Sequence, residues 1–412
     1  MALPDQVDCC IAGGGPAGLM LGLLLARAGR SVAVLEKHSD FLRDFRGDTI
    51  HPSTMEVMHE LGLLQAFLWL PHEKISELSA QFDDKRFTIA DFSKLPVHAP
   101  FIALMPQWDF LNFLSEAAAK YSSFNLLMNT EAIGLLEVAG TVKGVTLRGG
   151  GAIRAALTVA ADGRNSTLRK AAILEEREFG APMDVLWFRL SRLPEDPSQT
   201  MGRFQSGMIA VMLNRGTYWQ CAFVIAKGSL EEIKAGRLAG FQRKAAAALG
   251  LPIERLLELR SWDDLKLLTV RVDRLPKWWK PGFLCIGDAA HAMSPIGGVG
   301  VNLAVQDAVA AANILSEPLA QKIADDRHLR AIQHRRELPT RLTQTLQLLV
   351  QRRVIAPALQ SAGQNAPPAA VQFLVKRPLF RRLIGRVIGL GIRPEHVRQR
   401  DVIVEEPDTS AH

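Results

Sequence analysis

The sequence predicts an α/β chain in which a parallel-sheet domain is interrupted by a mostly antiparallel β-sheet and followed by a helical C-terminal region. Three observations predict it. A strand, a glycine-rich turn and a helix open the chain between Val7 and Ala28. Alternating apolar runs fill 71–99 and 180–264, and a further strand, loop and helix start occupy Gly282 to Asn313. At 412 residues the chain can bury more than one core.

Val7 to Ile11 is short and apolar, as a covered strand requires, and Leu19 to Ala28 reads as a helix closed by Gly29. Between them stands Gly13-Gly14-Gly15-Pro16-Ala17-Gly18. A second strand, Ser31 to Leu35, ends at Glu36, which falls 18 residues after the last glycine. This is the dinucleotide-binding pattern. Gly13 makes the tight turn, Gly15 admits a pyrophosphate, Gly18 lets the helix pack on the strand, and Glu36 accepts ribose hydroxyls. The acid disfavours a 2′-phosphate, so FAD or NAD suits this turn and NADP does not.

The next segment, FLRDFRGDTIHPST, is rich in loop signals and carries Arg43 and Arg46, each able to clamp a phosphate or to stand solvated. A helical stretch is expected from Met55 to Leu70. His51 and His59 lack partners at metal spacing and read as ordinary polar residues. From Pro71 to Pro100 the runs Ile75 to Phe82 and Arg86 to Ile89 suit half-exposed antiparallel strands. A helix follows Pro106-Gln107-Trp108, and more strands run from Asn125 to Leu147. Thr158 to Ala161 then ends at Asp162-Gly163, with Ser166 and Arg169 placing an anion-friendly group near a helix start.

Within 180–264 the strands Val185 to Leu190, Gly207 to Leu213 and Thr217 to Ile225 precede a helical run from Leu230 to Leu249. The aromatic bulk of this region either fills a core or lines a pocket for a flat substrate; Trp187, Arg189, Met212 and Trp219 are the candidate substrate contacts. Phe283 to Ile286 then forms a strand ending at Gly287-Asp288. Pro295 stiffens the loop beyond it, and Gly297, Gly298 and Gly300 allow close approach of backbone to a ligand. The helix expected from about Val301 turns its N-terminal amides to whatever the loop holds.

The net charge of +7 and a pI near 9.4 raise the question of nucleic acid, but basic residues crowd towards the C-terminus without interleaved aromatics, which argues against it. Cys9, Cys10, Cys221 and Cys285 sit in apolar surroundings without metal spacing, as buried thiols in a reducing compartment would. No basic, apolar leader opens the chain, and a cytoplasmic location is expected. Near the C-terminus, leucine, isoleucine and valine mix with Lys376, Arg377, Arg381, Arg382, Arg386 and Arg393. Such a stretch could make peripheral contact with a membrane surface, or pack its apolar side inward and solvate its arginines. The tail after Arg400 is polar and expected to fray.

Three stretches in this order, GGGPAG with Glu36, DGRNSTLR from Asp162 to Arg169, and GDAAHAMSPIGGVGVN from Gly287 to Asn302, resemble the group A flavin-dependent monooxygenases, the aromatic hydroxylases of the para-hydroxybenzoate hydroxylase type. The resemblance implies an FAD-binding Rossmann-like domain of the glutathione reductase type, built from 1–70, 100–179 and 265–345. It implies a substrate-binding sheet domain from 71–99 and 180–264, and a helical region and tail from 346–412. It places the ADP part of FAD on Gly13, Gly15, Pro16, Ala17 and Gly18, with Glu36 at its ribose, Lys37 among the cofactor-binding residues, and Arg46 and Gln107 at looser FAD-contacting positions. Gly287 and Asp288 match the ribitol site. Asp162, Gly163 and Arg169 match a segment associated with FAD and NAD(P)H. Pro295, Gly297, Gly298, Gly300, Val301 and Asn302 match the loop against the flavin ring, where the helix start stabilises a reduced ring.

The implied reaction uses NADH or NADPH as a transient co-substrate and O2 to hydroxylate an electron-rich aromatic or heteroaromatic small molecule through a flavin C4a-hydroperoxide. It calls for no protein acid, base or metal, and none is evident; His291 reads as structural. A single dinucleotide fingerprint argues against reductases with a separate nicotinamide domain. Trp278-Trp279 does not match the tryptophan element of flavin halogenases, while reduction, dehydrogenation or hydroxylation of a lipid or quinone-type substrate at a membrane surface, and a flavin-binding protein without turnover, remain open alternatives.

Overall fold

The computed structural model describes residues 3–42, 49–83, 85–196, 200–205, 207–360, 372–373 and 375–403. Five strands run parallel in the order Phe283–Cys285, Ala152–Ala160, Gln6–Ala12, Val32–Leu35, Phe124–Leu127. Val32–Leu35 is buried throughout, as a strand covered on both faces requires. The helix Pro16–Arg27 packs on this strand and is flanked by Gln107–Ala118 and Gly300–Ala320. Ile296–Ala320 is apolar and long enough to cross a membrane, but 72% of that window is buried inside the protein, so it serves as a core helix. All four cysteines are buried and free.

Strand register explains why three distant motifs can act together. Ala12 pairs with Ala160, and Ala160 with Cys285, so these strands end at one level. The residues that follow them, Gly13, Asp162 and Gly287-Asp288, therefore emerge side by side at the carboxyl edge of the sheet. That edge is where open α/β sheets bind ligands.

A second sheet has seven strands in the order Lys266–Leu268, Met183–Ser191, Tyr218–Ala226, Met208–Asn214, Met201–Gln205, Glu77–Phe82, Lys85–Asp91. All its neighbours are antiparallel except Met201–Gln205 beside Glu77–Phe82. Strand alternation gives it two faces. Leu186, Phe188, Leu190, Met212, Trp219 and Phe223 pack on Phe241, Ala245 and Leu249 of the helix Leu238–Leu249. The opposite face carries Val185, Trp187, Ile209 and Val211, packed with Ile296, Ile355 and Ala358.

Several boundaries differ from the sequence expectation. The stretch Met55 to Leu70 is two helices, Pro52–Glu60 and Leu64–Leu68, because Gly62 takes φ +72° between them. Arg237, at φ +63°, likewise splits Leu230–Ala235 from Leu238–Leu249. The boundary at 345 falls inside the helix Asp326–Val350. The tail does not fray directly after Arg400: Asp401 accepts from Tyr121 and pairs with Arg27, and Val402 N–H donates to Arg27 O at 3.0 Å.

Candidate active site

Backbone sterics build the first turn. Gly13 has φ +107°, and a Cβ there would lie 2.3 Å from Ala161 O; a Cβ on Gly18 would lie 1.9 Å from Gly13 O. Gly15 is different, because a Cβ there would meet nothing within 4 Å. The helix Pro16–Arg27 therefore starts over open space, with no side chain capping it. Glu36 is 9% exposed and braces the turn, accepting from Gly14 N–H and His38 N–H at 3.1 Å each. Lys37 is exposed beside it, and Gln107 is half-buried at its helix start. Arg46, with Arg43, lies outside the described residues.

At the second motif, Asp162 Oδ2 accepts from Thr167 N–H at 2.8 Å and Leu168 N–H at 3.2 Å. Burial raises its carboxyl above the ordinary range, against those hydrogen bonds. Gly163, at φ +84°, turns the chain away from that carboxyl. Arg164 spans to the third motif, donating from Nη2 to Asp288 Oδ2 at 3.2 Å; both side chains remain partly exposed. Arg164 carried no assignment from sequence, yet it joins two of the motifs. Arg169 corrects the expectation of a cofactor contact. Its side chain is sealed inside and donates to Ala289 O, Arg164 O and Glu176 Oε1 at 3.2, 2.9 and 3.3 Å. With both terminal nitrogens committed to protein acceptors and no exposed surface, Arg169 ties the second motif to the third from inside the protein.

The third motif combines positive-φ glycines with brackets from distant side chains. Gly287, Gly297 and Gly298 take φ of +58°, +78° and +63°. The loop from Pro295 to Gly300 is partly exposed, and no side chain caps the helix Gly300–Ala320. Val301 and Asn302 are buried behind it, at 7% and 5% exposed. Asn302 is a bracket: its Oδ1 accepts from His51 N–H at 2.8 Å and Thr54 Oγ1 at 2.7 Å, while its Nδ2 donates to Thr49 O and Gly298 O. His51, read from sequence as an ordinary polar residue, is sealed, and burial lowers its imidazole from 6.5 to about 4.

Two further supports were invisible as motifs. Gln344 and Gln347 of the helix Asp326–Val350, and Gln351 at the start of its π-helical continuation, project onto the backbone of Ala292, Ser294 and Ile296 and the Ser294 hydroxyl. Their helical spacing is the signal that could have found them: polar residues on an inward face need partners. Beneath them, Asp307 accepts from Gly287 N–H at 3.1 Å, His291 Nε2 at 2.6 Å and Arg336 Nε at 3.0 Å. Burial opposes charge on Asp307, yet His291 and Arg336 hold its carboxyl below the ordinary range.

Of the candidate substrate contacts, Met212 and Trp219 are corrected by the sheet's facing. Both fill the core under the helix Leu238–Leu249, and Trp219 has no exposed surface. Trp187 lies on the other face, in the apolar cluster that includes Ile296 of the glycine loop. Arg189, two residues on, is exposed and stacks 3.8 Å from the Tyr218 ring centroid.

FAD fits this arrangement on three observations. Space opens above Gly15, the buried atoms Asp162 Oδ1 and Arg164 Nε lack a protein partner, and an uncapped helix start faces a glycine loop. A family model described as FAD binding domain matches residues 6–345. 6-Methylpretetramide 4-monooxygenase of Streptomyces rimosus is 30% identical over 389 residues, covering 93% of this chain and 92% of that protein. The chain belongs to the FAD-dependent aromatic hydroxylase family. This hydroxylase is also 29% identical to rifampicin monooxygenase of Streptomyces venezuelae over 324 residues. That match covers 73% of this chain but 62% of the relative, which extends well beyond it. PqsL of P. aeruginosa, solved in complex with 2-aminobenzoylacetate, shares the hydroxylase's fold with a TM-score of 0.72 at 20% identity, over 86% of this chain and 97% of its own. The protein is thus a flavin-dependent monooxygenase of the aromatic hydroxylase type.

Proposed function

We propose that this monooxygenase uses NADH or NADPH and O2 to hydroxylate an electron-rich aromatic or heteroaromatic small molecule. One observation carries the reading: the glycine loop and the apolar sheet face meet at Ile296, beside Trp187 and Val211. A flat ring held there would lie between the loop and the sheet. FAD, when bound, supplies the redox and oxygen chemistry.

The chain's own residues bind, orient and exclude water. Gly13, Gly15 and Pro16 would admit the pyrophosphate, and Glu36, whose two carboxylate oxygens each accept one backbone N–H, would take the ribose hydroxyls on its remaining lone pairs. Asp288, held by Arg164, would take the ribitol hydroxyls. The free amides at the start of Gly300–Ala320 would stabilise negative charge on the reduced ring. Trp187 would set the plane of the substrate, and Arg189 would favour an acidic substituent at its outer end. No side chain is asked to act as acid or base.

Stopped-flow absorbance of the holoenzyme with NADH or NADPH tests the reading. An aromatic that binds should speed flavin reduction and, with O2, gain one oxygen atom by mass spectrometry. Reduction that no aromatic accelerates, with all reducing equivalents recovered as hydrogen peroxide, would count against hydroxylation. Asp288→Ala is expected to weaken FAD binding at least tenfold while leaving the apoprotein's melting temperature unchanged. Full flavin occupancy in that variant would remove Asp288 from the site.

A further inference from the structure

From Leu338 to Pro394 the sequence holds no aspartate or glutamate and nine lysines and arginines. A protein of mixed charge rarely leaves so long a stretch without an acid unless one sign is wanted. The same stretch contributes eight of the large hydrophobic residues exposed among the described residues. Basic charge and bare apolar surface therefore coincide.

The helix Pro378–Gly389 shows how they are arranged. Its inner side is seated tightly: a Cβ on Gly385 would lie 2.1 Å from Asp91 O, and one on Gly389 2.9 Å from Leu95. Ile384 and Ile388 join the apolar cluster of Phe92, Leu104 and Leu213. The helix cannot roll, so its outer side is committed to the exterior. There Leu379 and Leu383 are 78% and 56% exposed, one turn apart, among exposed Lys376, Arg377, Arg382 and Arg386. Among the described residues, Arg382 alone of these lies near an acid, 3.9 Å from Asp91. On the long helix, Leu338, Leu342, Leu346 and Leu349 form a second exposed stripe at helical spacing.

We propose that the outer side of the Pro378–Gly389 helix is a docking surface for an anionic phospholipid bilayer. Leucines one turn apart enter the acyl boundary, while the flanking cations reach the headgroup phosphates on their flexible stems. Charge selects this occupant. A second copy of the chain, docking by the same face, would bring the same net-positive surface and repel it, and a neutral bilayer would leave the cations without counter-charge. Docking sets the cluster containing Trp187 and Val211 directly behind the membrane-facing helix. The proposal does not depend on which substrate that cluster receives.

The test is co-sedimentation of the FAD-loaded enzyme with vesicles of phosphatidylcholine alone and of phosphatidylcholine with phosphatidylglycerol. Binding is expected only to the anionic vesicles and should fall as salt rises. Arg377→Gln and Arg386→Gln should each weaken it about fivefold. Leu379→Asp combined with Leu383→Asp should abolish it, with flavin content and melting temperature retained. Equal binding to neutral vesicles, or none to either, overturns the proposal. So does a concentration-dependent dimer in ultracentrifugation that the double variant dissolves, since a second copy then covers the face. None of these measurements uses turnover, so their failure is separate from failure of the hydroxylase reading.

Discussion

The two glycine loops that flank the proposed flavin groove do similar work by different means. At Gly13 to Gly18 the close contacts are backbone to backbone: Gly13 N–H donates to Leu35 O at 2.8 Å, and absent Cβ atoms leave room for Ala161 O and Gly13 O. At Pro295 to Asn302 the loop is held by side chains far away in sequence, through Asn302 to Thr49, His51 and Thr54, and through Gln347 to Ser294 and Ile296. A backbone-packed turn, with Glu36 as its one side-chain brace described above, is set mainly by spacing and should resist most substitutions elsewhere. A bracketed loop should answer to residues that never approach the ligand.

The sharpest break of this contrast lies within the first loop. Gly18→Ala puts a Cβ 1.9 Å from a carbonyl that has nowhere to move, and should cost more than about 4 kcal/mol, read as loss of soluble protein. Gly15→Ala, at an ordinary φ of −80° and with nothing within 4 Å, should keep its melting temperature and lose FAD instead. If both variants behave alike, the turn is not backbone-built in the way described.

In the second loop, Asn302→Ala removes the acceptor of two buried donors and the donor to two carbonyls, and should cost about 3 kcal/mol. Flavin affinity should fall with it, although the side chain is buried. Asn302→Asp, which keeps the acceptor, should recover part of both in chemical denaturation and flavin titration. Unchanged affinity in Asn302→Ala would show that the bracket does not set the loop.

His51 sharpens the comparison through pH. Its folded value of about 4 lies below the ordinary 6.5, so between these values the unfolded chain binds more protons. Stability from this group is complete above about pH 6.5 and is lost as pH falls towards 4, by up to about 3 kcal/mol. The difference in stability between wild type and His51→Gln should shrink across that window. The first loop has no buried histidine hydrogen-bonded to it among the described residues, so variants there should show no matching dependence.

The strand, turn, helix and acid around Gly13 were readable because the physics is local: positive φ and absent Cβ atoms are properties of residue type and spacing. The mixed α/β fold and the family followed from three such local patterns in order. The supports were not readable. Asn302, His51 and Asp307 look ordinary in one dimension, and their roles depend on partners 16 to more than 250 residues away. Arg169 misled for a related reason, since an arginine after Asp-Gly suits an anion and suits a buried carbonyl cluster equally well.

By itself, the sequence determined where backbone must pass close to other atoms, and hence where a dinucleotide can sit. It also determined that Met183–Ser191 and its neighbours alternate between two apolar faces. Only the tertiary structure decided which face is which. Both faces are covered, so period-2 alternation separates Trp187 from Phe188 but cannot say which of them meets the helix Leu238–Leu249 and which meets the glycine loop. Packing of one face on Leu238–Leu249 puts Trp219 in the core, and packing of the other with Ile296 puts Trp187 beside the glycine loop.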